Sequence, residues 1–383
     1  MCIRDRGGRD IVFPVGDLFN PAYATLNQLT NTSQFPTDLE NVNTALTPNN
    51  FLDAQFQISK PLINSNIRFN KKIQKELLHL SSIDREIEQR DLVLQIKSAY
   101  YNYHKSIHAE KILDESKGLL NEVKNVNTKL IKYDKATPDI QYDVDFQLQS
   151  LESQRSIIRQ QQETVQSLFN LLLNKPFNSD IQIDSMLIEN ELMEPLDLER
   201  LQLLAVDKRP EFDQIDLAKS VNELNIKRIK KDGRFELGIQ GGVGIQAENF
   251  DFGEFGPLFT LGLGASLNLF DGGTRKKRVE EIHIQQEILE HNRQQLKQKF
   301  EIEVTQLYYE LQSIEAQLVS EQTAVDFAKR SYRATKKRYE NDRAILIEVI
   351  QAQNRITSAE LSYVLTQYDH LIKRAEINRA ISK

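Results

Sequence analysis

The sequence predicts a mainly α-helical fold with a β component, built from a duplicated unit of strand, strand, long helix and returning helix. Three observations carry this. Runs without glycine or proline greatly exceed ordinary helices, short segments between them alternate with period two, and the order recurs at an offset near 207 residues.

Along the chain, Ile11, Phe13 and Val15 alternate and read as the remnant of a first strand, at about residues 9–16. A second, at about 51–60, sets Leu52, Ala54, Phe56 and Ile58 against Gln55, Gln57 and Ser59. From Leu62 to Thr137 only Gly118 interrupts the helix-compatible run, which predicts a helix over about 66–135, and the next run, Asp139 to Lys175, predicts a returning one over about 139–173. Within it Leu92, Ile96, Ala99, Tyr103, Leu113 and Leu120 follow the 3.5-residue seam of packed helices. Residues 174–207 read as an irregular join that closes a first unit of 1–207.

The second unit, 208–383, opens with a helix at about 210–231. Its strands fall at about 234–246 and 258–269, joined by a loop near Asn249–Pro257. Phe235, Leu237, Ile239, Val243 and Ile245 alternate with polar residues or glycine, and so do Phe259, Leu261, Leu263, Ala265, Leu267 and Leu269. Half-buried soluble sheets and membrane strands both give this pattern. Eleven of the fifteen glycines lie between Gly233 and Gly273, and neither Gly nor Pro follows Gly273. Helices are therefore predicted over about 275–341, roughly 100 Å long at the α-helical rise, and 346–381. Phe300, Val304, Leu307, Leu311, Ile314, Leu318, Val325 and Tyr332 keep the heptad.

The repeat joins the halves. A shift of 207 carries the second strand onto Phe259, Leu261, Leu263 and Ala265. A shift of 208 carries Tyr100-Tyr101 onto Tyr308-Tyr309, and one of 206 carries Lys132-Tyr133 onto Arg338-Tyr339.

Composition excludes several classes. The chain is 27% charged and 40% hydrophobic, with a mean hydropathy of −0.49. No segment approaches the roughly 20 apolar residues of a spanning helix, which leaves membrane strands open. A net charge of −6 gives no reason to expect a nucleic-acid partner. Cys2 is the only cysteine, so no disulfide framework or multi-cysteine metal site exists. The opening Met-Cys-Ile-Arg-Asp-Arg lacks an apolar h-region and reads as translated adapter sequence, so a targeting signal is expected ahead of the native start. No nucleophile–base set, phosphate loop or catalytic acid pair appears, so no catalytic residue, cofactor or metal is expected. His104 and His108 stand at i and i+4 without a third ligand and read as exposed helix polarity. Asn31-Thr32-Ser33 reads as a polar turn.

Leu267-Asn268-Leu269-Phe270-Asp271-Gly272-Gly273-Thr274-Arg275 is similar to the strand-to-helix turn of the TolC-like outer membrane efflux family. Arg209-Pro210-Glu211 resembles the opening of that family's second unit, and Glu348-Val349-Ile350-Gln351-Ala352 its returning helix. The resemblance spans nearly the whole chain from about Ile11. It implies a homotrimer whose protomers each give four strands to a twelve-stranded transmembrane β-barrel, continued by a long periplasmic α-helical barrel. It also implies a passive outer-membrane exit duct for tripartite efflux or type I secretion, with a periplasmic adaptor (membrane fusion protein), an inner-membrane transporter and outer-membrane lipid as partners. The competing reading is a coiled-coil periplasmic adaptor or structural scaffold. It gives no reason for two-sided, glycine-rich strands in both halves.

The resemblance also names sites. Phe56, Ile58, Phe235, Leu237, Ile239, Leu261, Leu263 and Leu267 are expected to face lipid, with Gln55, Gln57, Gln240, Thr260 and Ser266 facing the lumen. The basic run Arg275, Lys276, Lys277 and Arg278 is expected beside headgroups. A periplasmic gate is expected at Glu348 and Gln351, with Tyr142 and Asp145 at the matching positions of the first unit. Tyr339 matches the family's latch tyrosine. Its partner position holds Tyr142, with Asp139 or Asp143 as substitutes, and the tip glycine is replaced by Ala136 and Asp342.

Overall fold

The computed structural model describes residues 2–6, 9–47, 51–183, 196–232, 235–248 and 257–382. The expected loop at 249–256 and part of the expected join, 184–195, lie outside them. Two compact units emerge. One comprises Met1–Gln74 with Glu223–Ile282, the other Lys75–Asn222 with His283–Lys383. This division cuts across the repeat, because strands from both halves share one sheet.

In the first compact unit β1 (Cys2–Arg6), β4 (Phe51–Ile63), β5 (Phe235–Glu248) and β6 (Pro257–Leu267) form an antiparallel sheet in that order. The opening residues therefore enter the sheet: Cys2 faces Gln55 and Arg6 faces Phe51. The expected first strand at 9–16 needs correction. Strand β2 (Arg9–Phe13) ends early and pairs in a separate two-stranded sheet with β3 (Val42–Thr47). Pro14 breaks the alternation and Val15 opens helix α1 (Val15–Thr30). The strand signal failed here because a proline, which cannot donate to a ladder, interrupts it after only two alternations.

The excursion between β2 and β3 is held by two asparagines seven residues apart on α1. Asn20 both donates to the Leu39 carbonyl (2.8 Å) and accepts from its N–H (2.9 Å), and Asn27 does the same with Phe35 at 2.7 and 3.0 Å. Gly16 lets the chain pass close, since a Cβ there would collide with the Leu39 carbonyl. Asn31, in the left-handed region at φ 56°, ends α1 as a polar turn.

The remaining helices are α2 (Ser65–Lys132), α3 (Ile140–Leu172), α4 (Leu198–Asp207), α5 (Pro210–Lys231), α6 (Thr274–Glu340) and α7 (Leu346–Ala380). Helix α4 stands in the segment expected to be irregular. In the second compact unit the heptad seam buries Phe300, Val304, Leu311, Val325 and Tyr332. Tyr101, Tyr368, Leu371 and Ala375 form one core layer, and Val144, Val349, Ile350 and Ala352 belong to another. None of the described helices is long and apolar enough to cross a membrane.

Candidate functional site

The sheet's two faces differ in kind, and register decides which residue lies on which. Phe56, Ile58 and Lys60 face Val243, Gly241 and Ile239, which in turn face Phe259, Leu261 and Leu263. Since side chains alternate, these share one face with Leu237, Phe235 and Leu267. That face is exposed to an unusual degree, with Phe259 at 71% and Leu263 at 72% relative accessibility. Gln57, Gly242 and Thr260 lie across the other face, with Gln55 and Gly244 a step away. Glycine is required there: a Cβ on Gly242 would sit 2.7 Å from Thr260 Oγ1, and one on Gly244 would sit 2.6 Å from the Ala54 carbonyl. Strands β1 and β6 close neither edge, since each pairs on one side only among the described residues.

After β6 the chain turns into α6 through Gly272 and Gly273, at φ 61° and 81°. Asp271 caps the helix by accepting from the N–H groups of Gly273 (3.1 Å) and Arg275 (3.2 Å). These bonds hold its carboxyl below the usual range. Leu269 and Phe270 project nearly bare just before it. Of the basic run, Arg275 pairs with Asp271 and Lys277 with Glu280, while Lys276 and Arg278 are exposed.

The helix tips come next. Outgoing helices α2 and α6 end in the same turn. Lys135 N–H donates to the Leu130 carbonyl as Arg343 does to that of Arg338, with Asp134 and Asp342 at φ 55° and 56°. The left-handed residue of the first tip is therefore Asp134, not Ala136. The offset at the tips is 208, so Tyr339 corresponds to Ile131. Tyr133, matched to Tyr339 by the sequence shift, is instead largely exposed. Two residues more in the first tip account for the error: the returning helices, starting at Ile140 and Leu346, are offset by 206.

Tyr339 is buried, and its hydroxyl donates to Asn127 Oδ1 on α2. Burial pushes its phenol pKa up. Neither Tyr142 nor an aspartate is its acceptor. Lys336–Glu122 also joins α6 to α2, and Ser116 meets Thr357 of α7 at 2.5 Å. Buried Gln353 donates to that threonine at 2.8 Å. Asn127 and Gln353 escaped the sequence reading because a polar residue on a polar helix has no periodic signature.

Glu348 occupies the first turn of α7 and is not a free carboxylate. It accepts from Arg338 Nη2 (3.2 Å) and from the Ile345 N–H (3.3 Å). Asp145 accepts from Lys124 at 2.6 Å. Tyr142 and Gln351 are exposed. His104 corrects another expectation: it is 1% accessible, its ring centroid 4.6 Å from that of Tyr100 and 6.2 Å from that of Tyr368. His108 is exposed and meets Tyr368 edge-on at 5.7 Å. No cluster of three or more metal ligands occurs among the described residues.

The family model described as "Outer membrane efflux protein" matches residues 235–382, from β5 through α7. That match takes in both long strands of the second half and its two long helices. Solved structures match over nearly the full chain. CusC, studied for conformational changes on folding and transmembrane channel formation, aligns at TM-score 0.69 and 12% identity, covering 96% of this chain and 88% of that one. The open state of the Neisseria gonorrhoeae MtrE outer membrane channel aligns at 0.67 and 14% identity, covering 96% and 85%. The Campylobacter jejuni CmeC outer membrane channel gives 0.66 and 14%, covering 96% and 82%. No curated protein matches the chain. The fold is thus that of these outer-membrane channels, mainly helical with some strands.

The Arg209-Pro210-Glu211 motif has a physical role in the fold. Pro210 takes the first position of α5, where no N–H is needed. Arg209, its side chain 1% accessible, donates from Nε to the Ala380 carbonyl (2.6 Å), pairs with Glu303 (2.8 Å) and covers the Phe300 ring at 3.7 Å. Glu211 receives Arg90 at 2.6 Å, and Arg379 bridges Asp91 and Glu303 at 2.8 Å each. The network ties α2, α5, α6 and α7 together. Burial is the largest single influence on the Glu211 carboxyl and pushes its pKa up, but the Arg90 hydrogen bond, a backbone hydrogen bond and the charges of Arg90 and Arg209 together outweigh it and the pKa falls.

Proposed function

We propose that this chain is one protomer of a passive outer-membrane exit duct serving a tripartite efflux or type I secretion system. The supporting observation is the four-stranded sheet, exposed and apolar on one face, polar and glycine-lined on the other, with both edges open. Lipid tolerates no open edge, and four strands do not close a barrel, so copies must supply the rest. Three protomers give twelve strands around a polar lumen. Leu269 and Phe270 then sit at the headgroup boundary with Lys276 and Arg278 beside them. The long helices form the periplasmic tunnel, open to an adaptor and an inner-membrane transporter. Glu348 and Asp145, with Tyr142 and Gln351, form the tip gate, and Tyr339 latches the two helix pairs through Asn127. A conduit of this kind performs no chemistry, and no catalytic residue is assigned.

The test is cross-linking of the chain in outer membranes, with a signal peptide fused ahead of it. Products ending at trimer, and cation-preferring channels whose preference falls in Glu348→Lys, are expected. A folded, soluble monomer would sink the reading and restore the scaffold alternative.

A further inference from the structure

The apolar face of the sheet carries a groove. At its centre Gly241 of β5 lies between Ile58 of β4 and Leu261 of β6. Phe56, Val243 and Phe259 bound one end, Lys60 and Ile239 the other, and the open groove offers about 390 Å³. Small-molecule sites span about 300–1,000 Å³.

Nothing in the backbone calls for glycine at this point. The ladder is regular through Gly241, its one irregularity falling at Pro61/Ile63. The φ angle is not positive, and a Cβ there would meet nothing nearer than 3.7 Å. Gly242 and Gly244 on the opposite face differ in this respect. A strand-interior glycine without conformational duty weakens the strand and marks a place where another group approaches closely. What Gly241 supplies is room, on the face where neighbours are bulky.

The second feature is charge. Lys60 lines the same groove, on the α2 side, and it makes no ion pair among the described residues. An ammonium on an otherwise apolar face extends its stem to reach a polar layer.

We propose that the groove holds an acyl chain of a phospholipid whose phosphate is bound by Lys60. This rests on the outer-membrane reading above. A peptide strand would need backbone partners along the trough, and those of β5, which runs along its centre, are already spent on β4 and β6. An amphiphile with one anionic head and a flexible chain needs only the apolar trough and the cation at its end.

The test uses the purified trimer in mild detergent, titrated with phosphatidylglycerol and read by native mass spectrometry. Up to one retained lipid per protomer is expected. Gly241→Leu, which fills the trough, should reduce retention about tenfold with trimer yield unchanged. Lys60→Gln should weaken phosphatidylglycerol by about as much, the scale of one charge-assisted contact, yet leave diacylglycerol retention as in the wild type. Equal phosphatidylglycerol retention in both variants and wild type, in trimers that insert normally, overturns the groove alone. Failure of the wild type to reach the outer membrane overturns the duct reading and this proposal together.

Discussion

Replacing Arg209 tests the network around the Arg209-Pro210-Glu211 motif. Its guanidinium is buried, and three contacts depend on it: the Ala380 carbonyl, Glu303 and the Phe300 ring. Burial presses its pKa below the ordinary arginine value while Glu303 opposes this. Removing one partner of a buried pair costs about 3–5 kcal/mol. Glu303 is 30% accessible and keeps Arg379, which places this pair at or below the lower end. Orphaning the Ala380 carbonyl adds about 1–3 kcal/mol, and losing the ring contact about 1. Because these contacts overlap, Arg209→Ala should cost about 3–5 kcal/mol in total. Arg209→Lys should recover little, since an ammonium cannot lie flat on the ring and reach both oxygens. Urea unfolding of the detergent-solubilised protein, followed by helical circular dichroism, measures the loss. A double-mutant cycle with Glu303→Gln should give coupling of about 1 kcal/mol or more. If Arg209→Ala unfolds within about 0.5 kcal/mol of the wild type and the cycle shows no coupling, the network does not hold these helices together.

Three further outcomes are expected. Tyr339→Phe strands the Asn127 amide in a buried site, so it should cost about 1–3 kcal/mol and raise the open probability of single channels; unchanged gating would dismiss the latch. Leu263→Arg should impair membrane assembly at about 2–4 kcal/mol near the bilayer midplane, with Thr260→Arg assembling normally, and the reverse result would invert the assigned faces. Burial holds His104 and His370 below the usual imidazole value, opposed at His370 by Glu315 and supported by Arg374. The unfolded chain therefore binds more protons as pH falls through about 6.5, and stability should decline from there toward pH 5. A His104→Phe variant should flatten that decline, and an unaltered profile would assign it to other groups.

The sequence could be read where a signal repeats. Alternation in β5 and β6 and the heptad from Phe300 to Tyr332 each offered many residues to one period, and α6 begins and ends within a residue of its expected bounds, while α2 stops three residues short at Lys132. Helix α1 had no such support. Its sixteen residues carry an internal proline, and its anchors Asn20 and Asn27 act on backbone atoms of Leu39 and Phe35. Polar side chains that serve a distant backbone leave no periodic trace.

The tips show a second limit, that of transferring positions through a repeat. Aligning Tyr133 with Tyr339 treated the offset as constant across a turn, but the outgoing helices keep 208 and the returning helices 206. The two-residue difference sits in the turn itself, where Thr137-Pro138 has no counterpart before α7. A hydrogen-bond pattern therefore locates the equivalence better than residue type: Asp134 and Asp342 adopt the same left-handed conformation and follow the same backbone bonds. By that criterion the tyrosine proposed as a latch has no counterpart in the first unit, where Ile131 stands at its position. Its acceptor lies on the outgoing helix α2 of the first, on the buried side of the bundle. If Tyr339 is the proposed latch, parting α6 from α2 at the tip would expose Asn127 and Tyr339 together, and water would satisfy both groups in the open state. Such a latch biases the equilibrium by the difference between a protein hydrogen bond and two hydrated groups, about 0.5–1.5 kcal/mol. That is small enough for contacts with a partner protein to overcome.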